Sequence, residues 1–107
     1  MMKAISGKAA FEKAVKGKGI VVIDYKGKWC PPCKKLGVVF RKMETALGKM
    51  VKFHTVDIDD KKNAGIVKNE KVDSVPHVCF YKNSKKVKCV VGLYPTKFYN
   101  EIFSELL

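Results

Sequence analysis

The sequence predicts an α/β fold in which four helices flank a central mixed β-sheet of four to five strands. Apolar runs of strand length alternate with stretches of helical periodicity, and the last two strand-like runs are separated by a two-residue turn signal. Strand–helix–strand crossovers produce parallel pairs and a hairpin produces an antiparallel pair, so the sheet is expected to be mixed. The length of 107 residues fits a single domain that spans residues 1–107.

The first half of the chain predicts a helix, a strand and a second helix. Residues 8–16 carry apolar side chains on one helical stripe, and Ser6 is the expected N-cap. Residues 20–25 form a continuous apolar run, which is typical of a central strand buried on both faces. The second helix follows residues 30–33 and ends at Gly48. Its apolar stripe consists of Leu36, Val39, Phe40, Met43 and Leu47.

The second half of the chain opens with another strand. Residues 51–58 alternate in the manner of a strand, and Asp59 or Asp60 is the expected cap of a weaker helix that follows. Thr96 is the expected cap of the last helix. The apolar stripe of that helix consists of Tyr99, Ile102, Phe103 and Leu106.

A β-hairpin is expected between these two helices. Residues 78–81 and 87–91 have strand character, and residues 83–84 (Asn-Ser) form the turn signal. A two-residue turn sets a register in which Cys79 and Cys89 are one position out of alignment. Residues offset by one point to opposite faces of a sheet, so we expect two buried, unreactive thiols and no bridge between them.

The chain is strongly basic, with 22 lysine and arginine residues against 10 acidic ones and a net charge of +12. This balance suits nucleic-acid binding, attraction of acidic protein partners or a solvated lysine-rich surface. Only Arg41 is an arginine, which disfavours sequence-specific nucleic-acid recognition because base readout relies on bidentate arginine contacts. No apolar run has the length of a membrane span, and the first residues lack the pattern of a secretory signal. We therefore expect a cytoplasmic protein without membrane contact.

Cys30 and Cys33 form a C-x-x-C pair, which is typical of either a zinc half-site or a redox dithiol. A zinc ribbon needs a second C-x-x-C, whereas Cys79 and Cys89 stand ten residues apart in strand-like segments. The pair is therefore interpreted as a redox dithiol, and no metal is expected.

The predicted position of this pair at a strand-to-helix junction has a chemical consequence. Helix amides and the helix dipole stabilise a thiolate at the first cysteine, so Cys30, exposed at the loop, is the expected nucleophile. Cys33 lies one turn inside and is placed to resolve a mixed disulfide. Pro32 suits the first helical turn, and the charges of Lys28 and Lys34 further favour the thiolate.

Asp24 is an acid at the end of an otherwise apolar strand. Burial of its charged form is costly, so its pKa should be raised. It is either a strand-end acid that reaches solvent or a nearby lysine, or a proton acceptor for the second cysteine. Its position on the strand that leads into the dithiol favours the proton acceptor.

Residues 24–34, which read Asp-Tyr-Lys-Gly-Lys-Trp-Cys-Pro-Pro-Cys-Lys, closely resemble the active-site region of the thioredoxin family. The resemblance extends through residues 57–59, 74–76 and 80–83 to Gly92. It implies the thioredoxin fold, with Cys30 as nucleophile, Cys33 as resolving thiol and Asp24 as acid and base. Further roles come from the same resemblance. Pro76, preceded by Val75, matches a cis-proline beside the dithiol, Trp29 matches the loop aromatic, and Gly92 matches the small residue that borders the substrate groove.

The sequence departs from the family pattern at several positions. Pro31 and Pro32 replace the usual Gly-Pro, as in tryparedoxins and nucleoredoxin-like proteins, and this changes the stiffness of the loop. Lys26 stands where an aromatic is usual, and Thr55 replaces a lysine near the acid. His77 follows the cis-proline position, where it could tune the dithiol or be an ordinary strand residue.

The resemblance implies a thiol–disulfide oxidoreductase that reduces protein disulfides, needs no metal or organic cofactor, and receives electrons from a reductase of the thioredoxin-reductase type. Lysines around the dithiol are expected to select acidic substrates, and a monomer is expected. Two alternatives remain open. The same site could act as an oxidant or isomerase, or the fold could serve as a basic binding or accessory module.

Overall fold

The computed structural model describes residues 2–107 of the chain. Its strands and helices follow one another in the order that the periodicity predicts, with one additional strand at the beginning. They are β1 (Lys3–Ile5), α1 (Lys8–Val15), β2 (Ile20–Lys26), α2 (Pro31–Leu47), β3 (Val51–Asp57), α3 (Ala64–Asn69), β4 (His77–Lys82), β5 (Lys85–Val91) and α4 (Thr96–Leu106). Short 3₁₀ turns at Gly48–Met50 and Lys61–Asn63 precede β3 and α3.

The five strands form one mixed sheet in the order β1-β3-β2-β4-β5. β3 runs parallel to both β1 and β2, because helices provide the crossovers between them. β4 runs antiparallel to β2, and β5 returns antiparallel to β4 as a hairpin. The predicted mixed sheet with four helices is therefore confirmed.

Strand β2 lies at the centre of this sheet, and its first six residues are buried, as the apolar run predicts. Alternate side chains of β2 pack into two hydrophobic cores, one on each face of the sheet. One contains Val22 and lies under α2 and α4. The other contains Ile23 and lies under α1 and α3. Asp24 follows Ile23 on the first face, so the strand carries its only acid toward α2.

The edge strand β1 was not expected, because three residues of which only Ile5 is buried are too few to show a period. Its position depends on a buried amide from a distant part of the chain. The Asn63 side chain donates to the carbonyl oxygens of Ile5 at 3.2 Å and Asp57 at 3.0 Å. It also accepts from the backbone N–H of Gly7 at 2.9 Å, so one side chain connects β1, β3 and the start of α1.

The predicted helix caps are only partly right. Asp60 accepts from the backbone N–H of Lys62 and begins the turn before α3, as expected. Ser6 instead donates to Asp60, and Gly7 occupies the N-cap of α1 with a φ of 91°. The cap position of α4 belongs to Pro95, so the prediction for Thr96 is wrong by one residue.

The predicted register of the hairpin is wrong beyond its first two pairs. Asn83 and Ser84 both have positive φ, which is the backbone of a two-residue hairpin turn. The register that this turn sets holds as far as Tyr81, and a bulge then shifts it by one residue between Tyr81 and Phe80. Cys79 therefore lies opposite Cys89. The expectation that these two side chains point to opposite faces fails because a two-residue turn does not predict a bulge. The expectation of two buried thiols without a bridge is also wrong, since the two sulfurs form a disulfide and Cys89 is exposed.

Candidate active site

The loop between β2 and α2 places both cysteines at the start of the helix. Cys30 is the N-cap of α2, and Pro31 and Pro32 occupy its first positions. Neither proline has an N–H group, so the amide of Cys33 is the first helical donor, and it lies 3.2 Å from the Cys30 sulfur. The two Cα atoms are 5.2 Å apart and the sulfurs form a disulfide. The amide that faces the Cys30 sulfur thus belongs to Cys33, and a donor at such a position stabilises a thiolate.

Both cysteines are 3 % exposed in this disulfide form. The prediction that Cys30 is exposed at the loop is therefore wrong for the oxidised protein. The cause is the segment that precedes β4, whose Val75 carbonyl oxygen lies 3.9 Å from the Cys30 sulfur.

Asp24 lies in the sheet below the dithiol. It is 1 % exposed, and its Oδ1 has no hydrogen-bond partner in the part of the chain that the structure describes. Burial raises the pKa of Asp24 to about 7, and the charge of Lys26 offsets part of this rise. The carboxyl therefore does not reach solvent, although the charge of Lys26 acts on it.

A cleft brings Asp24 and Cys33 together, and Thr55 and Lys26 line it as well. Thr55 is the register partner of Asp24 on β3, as expected if threonine replaces a charged neighbour of the acid. Lys26 lies two residues beyond Asp24 on the same face of β2. Positive charge in this cleft therefore comes from β2, from the loop that follows it and from α2, and not from β3.

The bond between Val75 and Pro76 is cis, which agrees with the resemblance noted for this segment. The Pro76 carbonyl accepts from the backbone N–H of Gly92 at 2.8 Å, so the segments before β4 and after β5 are joined beside the dithiol. Gly92 has a φ of 103°, a backbone conformation that favours glycine. The structure brings Cys30, Val75, Pro76 and Gly92 to one region, in which Cys30 and Pro76 are buried and Val75 and Gly92 are half-buried.

Trp29 directly precedes Cys30 in the chain and is 65 % exposed. Its indole nitrogen donates to the Asp59 carboxylate at 2.7 Å, which holds the ring in place. The ring lies over Gly27, where an added Cβ would come within 2.8 Å of the indole. Sequence reasoning did not identify these two supporting positions, although the glycine two residues before the tryptophan was a visible signal.

The side chains of the residues predicted to tune the dithiol lie in two different places. Lys28 and Lys34 are exposed and line the same cleft as Cys33. His77 is not brought together with the dithiol. It pairs in register with Tyr25, and the two rings meet edge to face at 5.5 Å on the α1 and α3 side of the sheet. Burial lowers the pKa of His77 from its ordinary value.

Residues 3–104 match the thioredoxin family model. The chain belongs to the thioredoxin family. Relatives include a thioredoxin of Malassezia sympodialis, 36 % identical over 97 residues, an alignment that covers 90 % of each chain. A thioredoxin of Gallus gallus is 33 % identical over 106 residues, an alignment that covers 97 % of this chain and 98 % of that one.

Solved structures of the family have the same architecture. The crystal structure of Malassezia sympodialis thioredoxin aligns with a TM-score of 0.85 at 33 % identity and covers 100 % of this chain and 92 % of that one. A Plasmodium falciparum thioredoxin structure aligns with a TM-score of 0.87 at 21 % identity, covers 99 % of this chain and all of the other, and supports the fold alone. Within residues 2–107, no helix is both long and apolar enough to span a membrane.

Proposed function

We propose that the protein reduces protein disulfides by dithiol–disulfide exchange at Cys30 and Cys33. The observation that carries this proposal is the Cys30 sulfur at the N-cap of α2, joined to Cys33 and accepting its amide. As a family member with such a pair, the chain is a thiol–disulfide oxidoreductase that acts on disulfide-containing proteins. A reductase then reduces its Cys30–Cys33 disulfide again. Thioredoxins generally act without an organic cofactor, and we propose that this one holds neither cofactor nor metal at the dithiol.

The exchange proceeds in two balanced steps. The Cys30 thiolate attacks one sulfur of the substrate disulfide, and the other substrate sulfur leaves as a thiolate and takes a proton. The Cys33 thiolate then attacks the Cys30 sulfur, forms the Cys30–Cys33 disulfide and releases the second substrate thiolate. Two electrons pass to the substrate.

Asp24 takes the proton of Cys33 in the second step. Its buried carboxyl shares a cleft with Cys33, and a pKa of about 7 lets it hold and release a proton near neutrality. Pro31 and Pro32 tune the pair because they leave the Cys33 amide as the first helical donor. The charges of Lys28 and Lys34 tune it by favouring the Cys30 thiolate.

Trp29, Val75, Pro76 and Gly92 are the proposed substrate contacts. Val75 lies against the shielded Cys30 sulfur, Gly92 is hydrogen-bonded to Pro76, and Trp29 precedes Cys30 in the chain. An extended substrate segment that docks among these residues delivers its disulfide to that sulfur. The exposed side chains of Lys28 and Lys34, which line the cleft with Cys33, favour acidic substrates. We further propose a monomer of one domain that works in the cytoplasm.

Insulin reduction with dithiothreitol as the electron source tests the main proposal. We expect Cys30→Ser to abolish turnover and Cys33→Ser to accumulate a mixed disulfide with the substrate. Cys89→Ser is the matched control and is expected to retain activity, because Cys89 lies on the edge strand away from the cleft. Full turnover in Cys30→Ser would refute the proposal.

Two measurements separate the alternatives. A reduction potential of the Cys30–Cys33 pair near −270 mV supports a reductant, whereas one near −120 mV supports an oxidant or isomerase. A binding module would keep its partner when both cysteines are replaced, and its affinity would fall steeply with salt. The buried proton acceptor beside Cys33 favours the redox role, because a binding module has no use for it.

A further inference from the structure

A second group of sulfur and nitrogen atoms lies on the opposite face of the sheet from Asp24. His77 and Cys79 are two residues apart on β4, so their side chains share one face. Cys89 lies directly across from Cys79 on β5, with the two Cα atoms 4.1 Å apart and the sulfurs joined as a disulfide. One donor atom from each of the three residues lies within 4.8 Å of the other two.

The reduction of substrate at Cys30 uses none of these three side chains. Cys79 packs in the core beneath α1 and α3, whereas Asp24 and α2 belong to the other face. The bulge in the hairpin is what brings the group together, because the unshifted register would turn Cys89 away from Cys79. His77, Cys79 and Cys89 therefore form a group that has no part in the proposed reaction.

His77 supplies an independent observation. Its side chain is 8 % exposed, and its Nδ1 atom has no hydrogen-bond partner among residues 2–107. Leaving a buried nitrogen without a partner costs free energy, so such an atom in a native fold calls for a ligand or another explanation. Cys89 is exposed at the sheet edge and provides access to the group from solvent.

We propose that His77 and the reduced thiols of Cys79 and Cys89 bind one thiophilic metal ion of the Zn²⁺ type, and that disulfide formation between the two cysteines releases it. Two thiolates and one imidazole are preferred ligands of such an ion, and three protein ligands leave one position open to water. Ligand atoms on one tetrahedral zinc lie roughly 3.3–3.8 Å apart, so small side-chain rotations bring the three donors into place once the disulfide opens.

The change of state balances without any contribution from the Cys30 site. A dithiol reductant transfers two electrons and two protons to the Cys79–Cys89 disulfide and becomes a disulfide itself. Both thiols lose their protons when the metal binds, and neutral His77 contributes a nitrogen lone pair. In reverse, a disulfide oxidant accepts two electrons from the thiolates, and the metal leaves because a disulfide sulfur is a poor ligand.

Zn²⁺ titration against a chromogenic chelator tests the site in a Cys30→Ser/Cys33→Ser background, which removes the other thiols. We expect one ion per reduced chain and none per oxidised chain. Replacing Cys89 by serine should abolish binding. His77→Phe keeps an aromatic ring beside Tyr25 and should weaken binding at least about tenfold.

Cobalt in place of zinc gives a second readout, since a thiolate-to-metal charge-transfer band should appear with the reduced background protein and disappear in the Cys89→Ser form. Circular dichroism of each variant confirms that it is folded. The proposal is overturned if the reduced background protein binds no zinc, or if His77→Phe and Cys89→Ser bind it as well as the background protein does. Because neither readout involves substrate reduction, a failure of the metal-site proposal would leave the proposed disulfide reduction at Cys30 and Cys33 unaffected.

Discussion

The molecule contains two cysteine pairs on opposite faces of one sheet, and their surroundings differ in every chemical respect. Cys30 and Cys33 are three residues apart at a helix N-terminus, with an amide donor on the first sulfur and a buried acid in the same cleft. Cys79 and Cys89 are ten residues apart across a hairpin, beside an imidazole and away from a helix terminus.

The comparison teaches that the neighbours of a thiol, and not the presence of a disulfide, determine its chemistry. Helix amides favour a thiolate that attacks, and a proton acceptor allows the second thiol to follow. The second pair lies on two strands and not at a helix N-terminus, and it shares one face of the sheet with His77, so three donor atoms lie together there, which suits an ion. Four experiments test this contrast.

The largest expected effect is on substrate reduction. Cys30→Ser should lower the rate of insulin reduction by at least about 1,000-fold because it removes the attacking thiolate. Cys89→Ser should change that rate by less than about twofold, since the second pair does not face the cleft. Comparable losses in the two variants would show that both pairs take part in one electron path.

The next effect is on stability. Burial keeps Asp24 protonated in the folded state up to about pH 7, whereas the unfolded chain loses this proton near pH 3.8. The folded state therefore binds more protons at Asp24 between these values, and the contribution of Asp24 to the free energy of unfolding should fall by up to about 4 kcal/mol as the pH rises from 4 to 8. His54 and His77, whose pKa values burial lowers, contribute in the opposite direction, so the difference between variants measures the effect of Asp24. Urea unfolding of oxidised Asp24→Asn should lack this fall. Asp73→Asn, which changes an exposed aspartate, is the control and should keep it.

The same acid should affect the resolving step. Asp24→Asn is expected to slow release of substrate from the mixed disulfide by about 100-fold, because Cys33 loses its proton acceptor. In the unmodified protein the rate of this step should rise as the pH passes about 7, when the carboxyl becomes ionised. Stopped-flow tryptophan fluorescence measures the step directly. An unchanged pH profile in Asp24→Asn would assign the proton to another group.

The smallest expected effect comes from charge. Lys28→Glu beside the dithiol should slow reduction of an acidic substrate several-fold at low salt, and the difference should shrink at high salt. Lys85→Glu makes the same charge change in the hairpin and should have little effect. Equal effects of the two substitutions would mean that only net charge matters.

Most of the fold was predictable because each element carries its own pattern. The apolar run of β2 and the stripe of α2 each lie within one segment, and so does the turn signal at Asn83. β1 was missed because three residues show no period, and its place depends on Asn63, a residue 58 positions away from Ile5.

The active site was predictable to a similar degree. Cys30 and Cys33 were identified from spacing and from their place before a helix, and Asp24 from its place in an apolar run. The shielding of Cys30 by Val75 was not predictable, because the two residues are 45 positions apart in sequence. The orientation of His77 away from the dithiol likewise became evident only from its register with Tyr25.

The order of the main elements and the dithiol at the start of α2 follow from local sequence patterns, since periodicity and capping act over a few neighbouring residues. Tertiary structure decided which groups these elements bring together. It buried Asp24 in the cleft that Cys33 lines. Through one bulged residue it also aligned Cys79 with Cys89, with a donor atom of His77 within 4.8 Å of both sulfurs. Burial and register depend on contacts between distant segments, so no local pattern contains them.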